Sequence, residues 1–157
     1  MNYEEFLSNK RFVLESSGFD IDISELNPKL FQYEKDVVRW ALKKGKACIF
    51  SDCGTGKTAM QLEWGQKVHE HTGGMILILA PLAVAEQTKR EGEKFGIDVK
   101  VCEEQNDCVN GINITNYEKL DRFVANKFVG IVLDESSILK SYSGKVRTSI
   151  INNFHEV

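Results

Sequence analysis

The run Ser51-Asp52-Cys53-Gly54-Thr55-Gly56-Lys57-Thr58 sets a lysine and a hydroxyl directly behind a glycine-rich turn. Glycines let successive backbone N–H groups turn inward around an anion. A helix opening behind them adds about half a positive charge at its N-terminus. Lys57 can then reach the outer phosphates of a triphosphate, and the Thr58 hydroxyl can meet Mg²⁺. The full pattern is G-x-x-x-x-G-K-[ST]; here Ser51, also small, stands at the first glycine. A glycine turn capping an ordinary helix is the plainer alternative, and the strand-then-helix context weighs against it.

Further along, Asp134-Glu135 follows the apolar run Val129–Leu133. A carboxylate at a strand tip near such a turn can hold Mg²⁺, usually through water, because Mg²⁺ keeps much of its hydration shell. A second carboxylate one residue on can polarise an attacking water. Asp134 is therefore the metal-side candidate, with Thr58, and Glu135 the candidate base, with Lys57 as the other catalytic group. An isolated Asp-Glu pair is more often a solvated turn. Its place after an apolar strand, downstream of the phosphate turn, reverses that preference.

These residues need a scaffold that brings strand ends together. Lys46–Ser51, Met75–Ala80, Val99–Cys102, Ile112–Thr115 and Val129–Leu133 read as strands. Leu30–Lys44, Lys57–Glu70, Val84–Phe95 and Ser143–Phe154 read as helices, with Gly45 a plausible stop for the first. Near-continuous apolar strands alternating with helices imply an α/β fold, a parallel sheet covered by helices on both faces. Ligands then bind at the C-terminal strand ends, where the candidate residues fall. Residues 1–28 read as a lead segment, with a short helix over Tyr3–Val13, and 29–157 as the nucleotide-binding domain.

The 157 residues suit one domain, and a net charge of −3 argues against a protein that coats nucleic acid by charge alone. It leaves room for one that touches a few phosphates through loops. No C-x-x-C pair occurs, and the start lacks a signal peptide's basic and apolar regions, so the protein is expected to be cytoplasmic with reduced thiols. The longest apolar runs are too short to span a bilayer. Trp40 and Trp64, at helical spacing among Leu and Val, read as core. His69 and His71 lie two apart, on different helix faces, and read as surface residues.

Several segments resemble the DEAD/DEAH-box helicases of superfamily 2, and most closely the Snf2-like branch found in phages and prophages. Asp134-Glu135-Ser136-Ser137 looks like the DExx box, and DCGTGKT like motif I. Leu79-Ala80-Pro81-Leu82 with Glu86-Gln87 resembles motif Ia. Ile114-Thr115-Asn116-Tyr117-Glu118 resembles the I-T-x-Y-E segment, and Leu30-Phe31-Gln32 the Q-motif region. The likeness covers roughly residues 28 to 150, with the first 20 or so similar to the lead of those phage proteins (host cytoplasm, if phage-encoded).

The resemblance implies the N-terminal RecA-like domain of a helicase or double-stranded DNA translocase, using ATP and Mg²⁺ to move on or remodel nucleic acid, with duplex DNA the expected partner. By this likeness Cys53, Gly54, Thr55, Gly56, Lys57 and Thr58 bind the nucleotide, and Gln32 reads the adenine edge. Pro81, Leu82, Thr115 and Asn116 lie along the nucleic-acid track, and Lys140, Lys145 and Arg147 add charge. The family's Ser/Thr-Ala-Thr motif III strand does not follow in this sequence, nor does the second RecA-like domain with its arginine fingers. The sheet is thus expected to lack its last strand or strands, and the isolated chain to hydrolyse ATP poorly, since an arginine finger contributes orders of magnitude in rate. Alternative readings are a motor subunit of a restriction or repair nuclease and a non-hydrolysing nucleotide switch. Glu135 argues against the switch. A small-molecule kinase lacks support, because no Arg-rich lid is evident.

Overall fold

The computed structural model describes residues 16–52, 54–135 and 144–157. The Tyr3–Val13 helix, Cys53 and Lys140 lie outside them. Four strands form one parallel sheet: β1 (Met75–Ala80), β2 (Val99–Val101), β3 (Ile112–Asn116) and β4 (Phe128–Leu133), in the order β2-β3-β1-β4. Four helices are described: α1 (Gln32–Lys44), α2 (Lys57–Thr72), α3 (Ala85–Phe95) and α4 (Lys145–Asn153).

The central strand β1, MILILA, explains the layering. Ile76, Ile78 and Ala80 point to one face and pack with Val38 and Leu42 of α1 and Leu62 of α2. Leu77 and Leu79 point to the other and pack with Tyr117, Leu120, Phe123 and Phe154. Period-two alternation on a strand covered on both sides requires apolar residues at every position, which is what the run supplies. Each fully buried Leu or Ile there contributes about 1.5–3 kcal/mol from burial. β3 also buries polar side chains, Thr115 and Asn116 and, most deeply, Asn113. The Asn113 amide is fully buried and spent on chain carbonyls, donating to Val109, Gly111 and Ile76, while its Oδ1 accepts from Val109 N–H at 2.8 Å.

α1 and α2 end on glycines with positive φ, Gly45 at +77° and Gly73 at +71°, and each amide closes the last turn onto the carbonyl four residues back. A left-handed terminal residue of this kind stops a helix with no Cβ strain.

Two expectations need correction. Lys46–Ser51 is not a strand: it runs without helix or sheet pairing, Ala47–Phe50 are exposed, and Phe50 is 92% exposed. A strand exists by hydrogen bonding to a neighbour, and among the described residues β4 pairs only with β1, so nothing on its other edge takes up this segment. Trp40, expected in the core, is 47% exposed on α1, whereas Trp64 packs against the core. No helix among the described residues is long and apolar enough to cross a membrane.

Candidate nucleotide site

The turn before α2 is built by glycines where left-handed backbone is needed. Gly54 and Gly56 have φ of +78° and +76°. Gly56 is the N-cap of α2 and no side chain caps the helix, so its first amides face outward toward the turn. At Gly54 an added Cβ would meet open space; at Gly56 it would run into the carboxylate of Glu34. Ser51 ties the turn together, its hydroxyl 2.7 Å from the Thr55 hydroxyl, which donates to the Asp52 carbonyl at 2.7 Å. A glycine at position 51 could not make that link. The Lys57 ammonium donates to the Ser51 carbonyl at 3.0 Å and so lies over the turn rather than in solvent.

Asp134 sits at the C-terminal end of β4 and is held from several sides. Its N–H donates to the Leu79 carbonyl at 2.8 Å, and its own carbonyl accepts the Tyr117 hydroxyl at 2.6 Å. Its Oδ1 accepts from Gln61 Nε2 of α2 at 2.9 Å and from the Glu135 N–H at 3.0 Å. Oδ2 has no hydrogen-bond partner among the described residues. Tyr117 is buried, and desolvation, followed by the nearby Asp134 and Glu135 charges, pushes its pKa up, so the phenol keeps its proton and remains a donor. Glu135 adopts φ +51° and is the single non-glycine residue with positive φ among those described.

The Gln61–Asp134 bond ties the helix behind the glycine turn to the acidic pair at one end of the sheet. Lys57 and Thr58 begin that same helix. A helix start with no side-chain cap, an ammonium, a hydroxyl and a carboxylate suit a magnesium–triphosphate.

Gln32 is placed differently from the other expected residues. It is exposed, and its amide donates along its own helix to Asp36 at 3.1 Å. The neighbours of Gln32 touch the turn instead. The Tyr33 hydroxyl lies 3.3 Å from the Thr55 carbonyl, and Glu34, only 4% exposed, lies against Gly56. Glu34 also accepts the Phe31 N–H at 2.8 Å, closing the start of α1. Leu82, Thr115 and Asn116 line one shallow groove at the ends of β1 and β3, together with Lys119, which pairs with Glu103. Thr115 Oγ1 is buried with no hydrogen-bond partner among the described residues. Pro81 follows β1 and opens the turn to Val84, accepting its N–H at 2.9 Å.

Residues 27–156 match the family described as type III restriction enzyme, res subunit. The chain belongs to that family. Its α/β fold is similar to the RecA-like fold of a helicase: the crystal structure of the UvsW helicase from bacteriophage T4 matches with a TM-score of 0.71 at 18% identity. That match covers 86% of this chain and 56% of the UvsW chain, so the present chain spans little more than half of that helicase. No curated protein matched the sequence.

Within this res-subunit domain, Gln61, Tyr117, Tyr33 and Glu34 were not singled out from sequence as site residues. Glu34 carried one legible signal, an acidic residue in the first turn of α1. Gln61 carried a weaker one, a polar residue between the buried Met60 and Leu62.

Proposed function

We propose that this chain is the ATP-binding and ATP-hydrolysing domain of a superfamily 2 motor that couples hydrolysis to movement on, or remodelling of, duplex DNA. The observation that carries the reading is the 2.9 Å bond from Gln61 to Asp134, which ties the Lys57–Thr58 helix to the acidic pair. The start of α2 and the Lys57 ammonium hold the phosphates, with Lys57 exchanging the Ser51 carbonyl for a phosphate oxygen. Thr58 and Asp134 hold Mg²⁺, Asp134 through water. Bound Mg²⁺ neutralises charge developing on the phosphates. Glu135 accepts the proton of the attacking water. The exposed Phe31 and Tyr33 rings, with centroids 6.1 Å apart, offer a flat surface beside Thr55 for the base.

The Leu82–Thr115–Asn116 groove is the proposed nucleic-acid contact, where backbone amides hold phosphates without reading sequence. A second RecA-like domain, supplying arginine fingers, is the proposed partner for full turnover. The test is fluorescent ATP binding by the parent protein and Lys57→Ala, followed by DNA-stimulated hydrolysis with Glu135→Gln. We expect loss of binding in the first variant, and in the second, binding kept with turnover lost. Equal binding by Lys57→Ala and parent would refute the site.

The family description favours one narrower alternative, a motor subunit of a restriction nuclease. ATP-dependent cleavage of plasmid DNA by the intact protein would select it. Hydrolysis without cleavage would select the stand-alone motor.

A further inference from the structure

Gln61 stands where the two halves of the site meet. It lies three residues after Thr58 on α2, about one helical turn away and on a neighbouring part of the same face. Its Nε2 donates to Asp134 Oδ1 at 2.9 Å. With the Leu79 carbonyl, the Tyr117 hydroxyl and the Glu135 amide also holding Asp134, the carboxylate is turned with Oδ1 toward α2.

An amide is an apt donor for this task. It fixes one carboxylate oxygen and carries no charge, so the negative charge of Asp134 is left for a cation. Lysine or arginine in its place would orient the carboxylate and cancel its charge at once. Donors that orient the groups around a metal, whether these bind it directly or hold its water, set metal affinity in this way.

We propose that Gln61 is a positioning residue that fixes the Asp134 carboxylate relative to the Thr58 hydroxyl and thereby sets how tightly the nucleotide complex holds Mg²⁺. This rests on the nucleotide site proposed above. Gln61 touches neither nucleotide nor metal in this role. Its contribution therefore appears in the Mg²⁺ dependence of binding and not in metal-free affinity.

The experiment uses the intact protein and a fluorescent ATP analogue. Affinity is measured in EDTA, and Mg²⁺ is then titrated at fixed nucleotide, for the parent, Gln61→Leu, Gln61→Asn and Lys57→Ala. Gln61→Leu removes the donor at similar volume; Gln61→Asn keeps the amide on an arm too short to reach, and stands in should the Leu variant not fold. The Mg²⁺ concentration at half-effect should rise about tenfold in either Gln61 variant, with affinity in EDTA unchanged. An unmoved Mg²⁺ midpoint in a folded Gln61 variant overturns the proposal. So does an equal loss with and without Mg²⁺, which marks a purely structural side chain. Lys57→Ala separates the two levels: it should weaken binding in both conditions, and parent-like binding there overturns the site itself and the role of Gln61 with it.

Discussion

The carboxylate of Glu34 occupies the space that a side chain at Gly56 would need, joining the first turn of α1 to the phosphate turn across 22 residues of sequence. Gly56 is thus constrained twice, by its left-handed φ of +76° and by Glu34. Gly56→Ala should cost more than the roughly 1–2 kcal/mol of left-handed strain alone, and should abolish nucleotide binding. Glu34→Ala removes the acceptor for the Phe31 N–H, a loss of about 1–3 kcal/mol. In the double variant the clash disappears, so part of the loss should return, with a coupling of about 0.5–3 kcal/mol. Urea denaturation of the four proteins measures it, and additive losses would show that the contact carries no energy.

Glu135 pairs a strained backbone with the proposed base. A left-handed non-glycine residue costs on the order of 1–3 kcal/mol and persists where surrounding structure imposes it. Glu135→Gly removes that strain along with the carboxylate. Compared with Glu135→Ala, which removes the same side chain and keeps the strain, Glu135→Gly should melt at an equal or higher temperature, and both should lower turnover by at least about a hundredfold. A lower melting temperature for Glu135→Gly than for Glu135→Ala would show that the left-handed backbone stores no strain there.

Thr115 presents a different conflict. Its hydroxyl is buried beside the Leu82–Asn116 groove with no partner among the described residues. An unsatisfied buried hydroxyl is unfavourable by about 1–3 kcal/mol, so Thr115→Val, nearly isosteric, should stabilise the fold by about 1 kcal/mol. In the intact protein the same change should weaken DNA binding several-fold, because on the proposed nucleic-acid contact DNA draws this buried hydroxyl to the groove surface and gives it a partner. Chemical denaturation and a DNA-binding isotherm on one preparation check both halves. Unchanged DNA affinity would remove Thr115 from the nucleic-acid contact.

Much of this was legible because the strongest signals are local. The glycine turn before α2 announces itself within eight residues, and β1 reads as a doubly covered strand because burial on both faces demands an unbroken apolar run. Lys46–Ser51 shows where that logic stops. Its apolar run reports a tendency to be buried, but pairing needs a neighbouring strand that pattern alone does not supply. Trp40 misleads similarly, since helical spacing places it near a core without deciding which side of the stripe it takes. Gln61 and Glu34 act across 73 and 22 residues, and no period or motif marks such contacts before the chain is folded.

Glu63 supplies a pH prediction away from the site. It is 2% exposed on α2 and accepts the Asn27 N–H at 2.9 Å. Burial pushes its carboxyl above the ordinary glutamate value of 4.5, opposed by the Asn27 hydrogen bond and by the charge of Lys67. A carboxyl raised on folding favours the folded state while protonated, and that contribution is lost as pH rises through the folded pKa. From just below 4.5 upward, Glu63 therefore erodes stability in the parent. Glu63→Gln keeps an acceptor for Asn27 and never ionises, so its advantage over the parent should grow as pH rises from the ordinary glutamate value of 4.5 through the raised folded pKa and then level off. Thermal melts of both proteins across that range test it. A constant offset would mean that the Glu63 carboxyl titrates alike in folded and unfolded chains.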